Sequence, residues 1–196
     1  MDKLKLCADA FSKLFYIKYH CIIGRKGKTR EFLLVFDSYH FHHLAGLHKL
    51  SDMPELRKNR ERVFKDIMAG KLTYDMISQS IDFPDIKSRF DYLHRLEAFM
   101  DSNDIIFHYD KCNDPSSRID AVYLLQNEID GDINYFFIDK GEDDNFFGRS
   151  FFLKTQKDFT VAQQRWTLLY KEKIYVKTGA KIIQYDKLSP KQTDNR

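Results

Sequence analysis

One change in the spacing of apolar residues, near residue 103, constrains the fold of this chain more than any other feature. Before it, apolar residues mostly recur three and four positions apart, as Leu4, Ala8, Phe11 and Phe15 do, and this is the spacing of an amphipathic helix. After it, apolar and polar residues alternate, which is the pattern of a half-buried strand. The chain is therefore predicted to have an α+β fold.

The same spacing, together with turn residues, predicts the individual elements. Helices are predicted over residues 3–16, 43–50, 54–69 and 85–100, with a short helix after Thr73, and strands over residues 17–23, 31–36, 105–109, 119–127, 133–139 and 146–154. GRKGKT joins the first two strands, and Asp130-Gly131 is a hairpin signal between two later ones. Residues 160–176 fit a helix or a strand equally well.

These elements predict a single domain over residues 1–188. An N-terminal helix and a β-hairpin come first, a helical insert over residues 51–102 follows, and a C-terminal antiparallel sheet ends the domain. The polar tail SPKQTDNR, residues 189–196, is predicted to be disordered.

Several classes of protein are excluded by what the sequence lacks. Cys7, Cys21 and Cys112 are far apart and form no C-x-x-C pair, which argues against a cysteine zinc site or a disulfide framework and favours a reduced, cytoplasmic chain. No apolar run is long enough to span a membrane, so no membrane partner is expected. Walker, Rossmann and G-x-S-x-G motifs are absent as well, so no cofactor is predicted.

Charge is unevenly distributed between the two halves of the chain. Residues 1–100 contain 18 Lys and Arg against 13 Asp and Glu, whereas residues 101–196 contain 14 against 16. A nucleic-acid backbone would favour the basic half and avoid the acidic stretch over residues 128–144.

Four histidines lie within DSYHFHHLAGLHKL, residues 37–50. They fit a metal site, an acid–base site or a helix end with a polar face. His40 and His43 have the i, i+3 spacing of two metal ligands, but H-E-x-x-H is absent and no cysteine or carboxylate completes the set, so no metal is predicted. In the structural interpretation, His40 and His42 are exposed loop residues and His48 caps a buried face.

In the functional interpretation, His43 is an acid–base residue. It directly precedes the apolar LAGL at a strand-to-helix junction, where a histidine has an apolar wall behind it and solvent in front. Its ordinary pKa of about 6.5 makes both protonation states accessible near neutral pH, as general acid–base catalysis requires.

Two further regions carry cations suited to a phosphate. In the stretch over residues 148–174, Arg149 and Lys154 accompany hydroxyl side chains, and strand alternation predicts Arg149 and Phe151 on one face, with Ser150 and Phe152 on the other. The hairpin tip holds Arg25, Lys26, Lys28 and Arg30, which can follow a sugar–phosphate backbone. Such cations are also ordinary at exposed turns and sheet edges.

Two blocks of the sequence resemble a known family. FHHLAGLHKLSD, residues 41–52, resembles an F-x-HL-x-G-x-HKL signature, and SFF…DFT…Q…LLYKEKI, residues 150–174, resembles a C-terminal block. Both are similar to the fourth phage-type group of the barnase–EndoU–colicin–RelE (BECR) nuclease superfamily, over most of residues 1–176.

The resemblance implies a compact α+β nuclease fold and a metal-independent endoribonuclease, associated with phages or acting as a toxin. The family's histidine falls on His43, its later histidine and lysine on His48 and Lys49, and its D-[FY]-T…Q element on residues 158–163, which include Thr160 and Gln163.

In the implied mechanism, His43 acts as acid or base while the RNA 2′-hydroxyl attacks its own phosphate and leaves a 2′,3′-cyclic phosphate. Arg149 or Lys154 stabilises the charge, and Thr160 and Gln163 orient the reacting groups. Tyr39 is predicted to stack an unpaired base.

RNA is the partner expected from this mechanism, with an antitoxin or another protein as a further candidate. The alternative is a non-catalytic module on the same fold, which binds RNA through its basic groove or a basic protein through residues 128–144. Convergence of His43, Arg149 or Lys154, and Thr160 on one cleft would favour the enzyme.

Overall fold

The computed structural model describes residues 2–57, 59–102 and 105–190. Within them one sheet has eight strands: β1 (Ile17–Arg25), β2 (Lys28–Leu34), β3 (Ile105–His108), β4 (Tyr123–Ile129), β5 (Asp132–Lys140), β6 (Phe146–Leu153), β7 (Gln164–Tyr175) and β8 (Lys181–Asp186). The α-helices are α1 (Lys3–Lys13), α2 (Ser38–Leu44), α3 (Arg60–Met68), α4 (Tyr74–Ile77), α5 (Arg89–Tyr92) and α6 (Leu96–Asp101).

Seven of these strands close into a barrel. Their order is β1-β2-β6-β5-β4-β3-β7, and β7 pairs with β1 to complete the ring, while β8 pairs with the other edge of β7. Neighbouring strands are antiparallel except β2 and β6, which meet in parallel at Leu34 and Phe146. The α+β class is confirmed, but the predicted layout of a hairpin apart from a C-terminal sheet is wrong, because the hairpin is part of the barrel.

Strand β7 closes the ring, and its sequence shows why residues 160–176 were ambiguous. Trp166 and Leu168 are buried at alternate positions, but a shift of register follows and breaks the alternation. The charged residues beyond it are buried too. Lys173 is held by Asp101 at 2.7 Å and Glu97 at 2.8 Å, so partners in α6 replace the apolar pattern that marks a buried strand.

Both predicted hairpin turns are confirmed. Lys26 and Gly27 between β1 and β2 have φ of 48° and 76°, and Asp130 and Gly131 between β4 and β5 have φ of 54° and 88°. Two successive residues of positive φ form the type of turn that matches the twist of antiparallel strands.

The middle of the chain is more broken than the predicted long helices. The helix predicted over residues 43–50 ends at Leu44 and resumes as a 3₁₀ turn at Leu47–Lys49. The helix predicted over 85–100 is divided into α5, a 3₁₀ turn and α6, although its apolar residues at helical spacing are buried: Ile86, Phe90, Leu93, Leu96 and Met100. The short helix after Thr73 is confirmed, with Thr73 as its N-cap.

Two apolar clusters hold the molecule together. The larger joins the helices to one another and to the sheet: Phe11 of α1 contacts Phe41 of α2, and Phe99 of α6 contacts Phe136 of β5. The smaller lies around Tyr135 and Phe137 of β5 and is covered by the loops before β4 and before β7. Apolar side chains from the predicted insert, residues 51–102, are part of the larger cluster.

None of the described helices combines the length and the apolarity that crossing a bilayer requires. Most of the tail predicted to be disordered, residues 191–196, lies outside the described residues.

Candidate active site

A cavity of about 910 Å³ opens beside β6. Four segments line it: the end of α2 with the turn after it, the start of α5, β6 with the loop that follows it, and the loop between β3 and β4. Most of the lining side chains are polar or charged: His43, His48, Lys49, Asp85, Ser88, Arg89, Ser116, Ser117, Arg118, Arg149, Ser150, Thr155 and Lys157.

Helix α2, which carries His43, begins with a capping box. Asp37 caps the helix, and His40 Nδ1 accepts a hydrogen bond from the Asp37 backbone N–H at 2.9 Å. The buried His40 ring also stacks on Phe147 of β6, with ring planes 8° apart. His40 therefore fixes the start of the helix and its seat on the sheet.

Gly46 turns the chain between the two histidines that line the cavity. Its φ of 77° lies in the left-handed region, which glycine adopts without strain. A Cβ atom there would lie 2.7 Å from Ile86 and 3.1 Å from the Arg89 side chain. The glycine therefore brings His48 back beside His43 and admits Arg89 close to the turn; we call residues 43–49 the histidine turn.

Arg89 lies beneath the histidine turn with only 4 % of its surface exposed. Its Nη1 donates to the carbonyl oxygens of Leu44 at 3.0 Å and Phe151 at 3.2 Å, and to Ser150 Oγ at 3.3 Å. Its Nε has no hydrogen-bond partner, and within the described residues no carboxylate forms an ion pair with it. Burial lowers the pKa of Arg89 to about 10, so it stays charged at neutral pH.

His43 and His48 are neutral bases at neutral pH. Burial lowers the pKa of His43 to about 3, and the neighbouring His48, Arg60 and Arg149 act in the same direction. Burial likewise lowers the pKa of His48 to about 4. The two ring centroids are 4.6 Å apart. Each neutral imidazole retains a lone pair that can accept a proton.

Arg149 reaches the cavity through a bulge in β6. Ser150 pairs with Phe137 of β5 and Gly148 pairs with Ile138, so Arg149 is an extra residue between them. The prediction that Arg149 and Ser150 face opposite sides is wrong, since both line the cavity. A bulge interrupts strict alternation and redirects the side chains around it.

Positive charge predominates around the cavity. Its charged lining residues are Lys49, Arg89, Arg118, Arg149 and Lys157 against Asp85. Lys157 is neutralised by Asp114 at 2.7 Å. The pKa of Lys49 is lowered by burial and then by Arg89. The resulting field attracts an anion such as a phosphodiester.

Two predicted catalytic residues, Lys154 and Thr160, do not line the cavity. Lys154 Nζ lies 2.5 Å from Asp158 Oδ2, and Thr160 Oγ1 donates to Asp158 Oδ1 at 2.6 Å. Tyr135 donates to the same carboxylate at 2.9 Å. We call these four residues the Asp158 network; they hold the loop after β6 in place, and their polar groups are directed at one another.

Gln163, predicted to orient substrate, instead joins two loops. Its Nε2 donates to the Asp110 carbonyl oxygen at 3.0 Å, and its Oε1 accepts from the Asp110 backbone N–H at 2.7 Å. Asn113 Nδ2 donates to the Ala162 carbonyl oxygen at 3.2 Å. The loop before β4 thereby becomes a wall of the cavity, which sequence spacing did not indicate.

The remaining predicted contacts lie outside the cavity lining. Tyr39 is 40 % exposed at the start of α2, with its ring against His40. The hairpin-tip residues Arg25, Lys26 and Lys28 also lie outside it. Of the predicted site residues, the structure brings His43, His48, Lys49 and Arg149 together at the cavity. Arg89 lies in the region predicted to be one long helix and was not predicted as a site residue.

The interpretation of His40 and His42 as exposed loop residues is wrong. Both are buried on α2, and His42 Nε2 hydrogen-bonds to the Leu56 carbonyl oxygen at 2.7 Å. The histidine turn adds His43 and His48, so that one potential ligand atom from each of three imidazoles lies within 4.8 Å of the others. The sequence had predicted no metal site, whereas the structure brings His42, His43 and His48 into one cluster.

Comparison with known protein families gives a match. The family model described as phage-Barnase-EndoU-ColicinE5/D-RelE like nuclease 4 matches residues 3–188. The chain has no significant match among curated proteins or solved structures. The match covers almost the whole chain and confirms the resemblance seen in the two sequence blocks.

Proposed function

The chain belongs to the phage-Barnase-EndoU-ColicinE5/D-RelE like nuclease 4 family, and we propose that it is an endoribonuclease that cleaves RNA without a metal ion. The family supports a nuclease of this type. The choice of RNA rests on the chemistry that the cavity offers. An RNA strand carries its own nucleophile, the 2′-hydroxyl, so the protein needs only to move protons and stabilise charge.

His43 is the general base in this proposal. It removes the proton from the 2′-hydroxyl while that oxygen attacks the adjacent phosphorus and the bond to the 5′ oxygen breaks. The lowered pKa keeps the His43 ring unprotonated before substrate binds. The negative charge of a bound phosphodiester raises the pKa of His43 again, towards the near-neutral value that suits a general base. The products are a 2′,3′-cyclic phosphate and a 5′-hydroxyl end.

Arg89 and Arg149 stabilise the charged pentavalent phosphorane. Arg89 is fixed from behind by three carbonyl oxygens, those of His43, Leu44 and Phe151, and by the Ser150 hydroxyl. It therefore requires little reorganisation when charge develops, which is the condition for strong electrostatic catalysis. Arg149 approaches from the bulge in β6.

Lys49 donates the proton to the leaving 5′ oxygen. It lines the same cavity as His43, and its pKa is lowered by burial and by Arg89, which makes the proton easier to transfer. A neutral His48 is a poorer donor.

One observation carries the proposal: two groups line the same cavity. One is the buried guanidinium of Arg89, which has no carboxylate partner in the described residues, and the other is the neutral imidazole of His43. A buried charge without a partner is costly. A phosphodiester would supply the missing negative charge at the position where His43 reaches the sugar.

Cleavage of total RNA in excess EDTA, followed by analysis of fragment ends, tests the proposal. We expect fragments with 2′,3′-cyclic phosphate and 5′-hydroxyl ends. Once a cleaved site is known, an oligonucleotide with one 2′-deoxynucleotide at that site is the matched control and should stay intact.

Cleavage of the deoxy-substituted oligonucleotide, or loss of all cleavage in EDTA, would contradict this mechanism. Binding of RNA with no cleavage under any condition would favour the non-catalytic module.

A further inference from the structure

Three imidazoles converge where helix α2 meets the histidine turn. His42 and His43 are consecutive in α2, and His48 returns to them across Gly46. The ring centroid of His42 lies 5.7 Å from that of His43 and 6.2 Å from that of His48. One nitrogen from each ring lies within 4.8 Å of the other two.

Two of these rings have a buried nitrogen without a partner. His42 is 3 % exposed, and its Nε2–H donates to the Leu56 carbonyl oxygen. The opposite nitrogen, Nδ1, therefore carries the lone pair, and it has no hydrogen-bond partner, as is also true of His43 Nε2. Buried polar atoms nearly always have a partner, so the two nitrogens point to a ligand.

The contact with Leu56 matches a common arrangement around metal ions. A ligating histidine usually donates its second ring N–H to a carbonyl or carboxylate oxygen, which fixes the tautomer and the direction of the ligating nitrogen. His42 has this arrangement without any further change of conformation.

We propose that His42, His43 and His48 bind one transition-metal ion of the Zn²⁺ class, and that this ion switches the nuclease off. Zinc–nitrogen bonds of 2.0–2.1 Å place the ligands of a tetrahedral site about 3.3 Å apart. The nitrogens therefore move together by roughly 1.5 Å or less on binding. Three imidazoles favour zinc or copper over magnesium and calcium, which take oxygen ligands.

Inhibition rests on the proposed function and follows from the lone pairs of His43. A neutral imidazole has one lone pair. When a metal ion holds it, the other ring nitrogen carries the proton, so no site remains to accept the 2′-hydroxyl proton. Loss of the metal restores the base without any covalent change.

Metal binding is tested without RNA. The EDTA-treated protein is dialysed and titrated with Co²⁺, whose visible absorption reports tetrahedral nitrogen coordination. We expect one Co²⁺ per chain, displaced by one Zn²⁺. His42→Gln should remove the absorption, and His108→Gln, a histidine of β3 outside the cluster, should retain it. If His42→Gln does not fold by circular dichroism, His48→Gln replaces it in this measurement.

Absence of stoichiometric Co²⁺ binding, or binding that survives both cluster variants, would overturn the site. With the wild-type protein, Zn²⁺ at ten times its dissociation constant should lower RNA cleavage about elevenfold, and EDTA should restore it. His42→Gln should cleave RNA as well as wild type and lose its sensitivity to Zn²⁺.

The two proposals fail in different ways. Co²⁺ binding without any RNA cleavage would keep the metal site and remove both the ribonuclease and its inhibition. Stimulation by Zn²⁺ would overturn the inhibitory role and the metal-free mechanism together. Metal-free cleavage without Co²⁺ binding would remove the metal site alone.

Discussion

The Asp158 network and the region around the histidine turn both contain a cation and other polar side chains, but they differ in whether a carboxylate balances the cation. In the Asp158 network, the cation, the hydroxyl and the phenol all bond to one carboxylate. Beside the histidine turn, Arg89 has no carboxylate partner in the described part of the chain, and His43 Nε2 has no hydrogen bond. Residues of both regions were predicted to be catalytic from sequence, and only one region keeps its charge available for a substrate.

The pKa directions show the same contrast. The hydrogen bonds from Lys154 and Thr160 hold the pKa of Asp158 well below its ordinary range, so this carboxylate is a permanent anion that balances its neighbours. Burial lowers the pKa of His43 to about 3, which leaves a neutral base. The comparison teaches that a catalytic candidate is identified by the partners it lacks as much as by its residue type.

Replacing His43 has the largest expected effect. His43→Ala should lower RNA cleavage by roughly 10²–10⁴-fold, because a general base typically contributes that much. Thr160→Val, in the Asp158 network, is the matched control and should stay within a few-fold of wild type. The single-turnover rate of cleavage of one RNA oligonucleotide is measured for both variants. Near wild-type activity in His43→Ala would show that His43 is not the general base, and the contrast between the two regions would then not identify the catalytic site.

The next largest effect distinguishes the two predicted cations of the C-terminal region, Arg149 and Lys154, by their cleavage rates. Arg149→Ala should cost roughly 10²–10³-fold in cleavage, which is typical for the loss of one charge-stabilising donor. Lys154→Ala removes a cation five residues away that is neutralised by Asp158, so its cleavage rate should change little. Equal losses in the two variants would show that the Asp158 network takes part in the reaction.

Gly46→Ala tests the geometry of the histidine turn. The added Cβ would meet Ile86 and Arg89, whereas Gly70 has nearly the same φ, 70°, and open space around it. Both alanines bear the left-handed strain of about 1–2 kcal/mol, and only Gly46→Ala adds overpacking of roughly 1–3 kcal/mol. Urea unfolding should therefore rank Gly46→Ala below Gly70→Ala in the free energy of unfolding. Equal values would mean that the close approach of Arg89 is not a constraint.

The local part of the cavity lining could be predicted from the sequence. His43, His48 and Lys49 lie within seven residues, so one motif contains all three, and the family resemblance identified it. Arg149 was predicted as a site residue, although strand alternation could not foresee the bulge that directs it. Such a bulge depends on the register with β5, which is set by distant residues.

The parts that sequence missed depend on contacts between distant segments. Arg89 is charged and lies in a broken helical region, so nothing in its local sequence indicates burial. Its burial depends on Gly46 and on the carbonyl oxygens of two other elements. Barrel closure was missed for a similar reason, since buried charges such as Lys173 hide the apolar period of β7.

Acid unfolding should distinguish the two regions by pH window. The folded-state pKa values of His43 and His48, about 3 and about 4, lie below the ordinary 6.5. The unfolded chain therefore binds more protons as pH falls below 6.5, and stability is lost progressively down to about pH 4 for His48 and about pH 3 for His43. Asp158 also has a lowered pKa, but its ordinary value is 3.8, so the stability it contributes is lost only below about pH 4.

In EDTA, we expect the wild-type melting temperature to fall between pH 6.5 and pH 4, by about 2–4 °C per kcal/mol lost. His48→Gln should reduce that slope, because one of the titrating groups is removed. Asp158→Asn should instead lower the melting temperature by a constant amount above pH 5 and converge with wild type in stronger acid. If Asp158→Asn alters the slope between pH 6.5 and pH 4 and His48→Gln does not, the assignment of neutral bases to the histidine turn and a fixed anion to the Asp158 network is reversed.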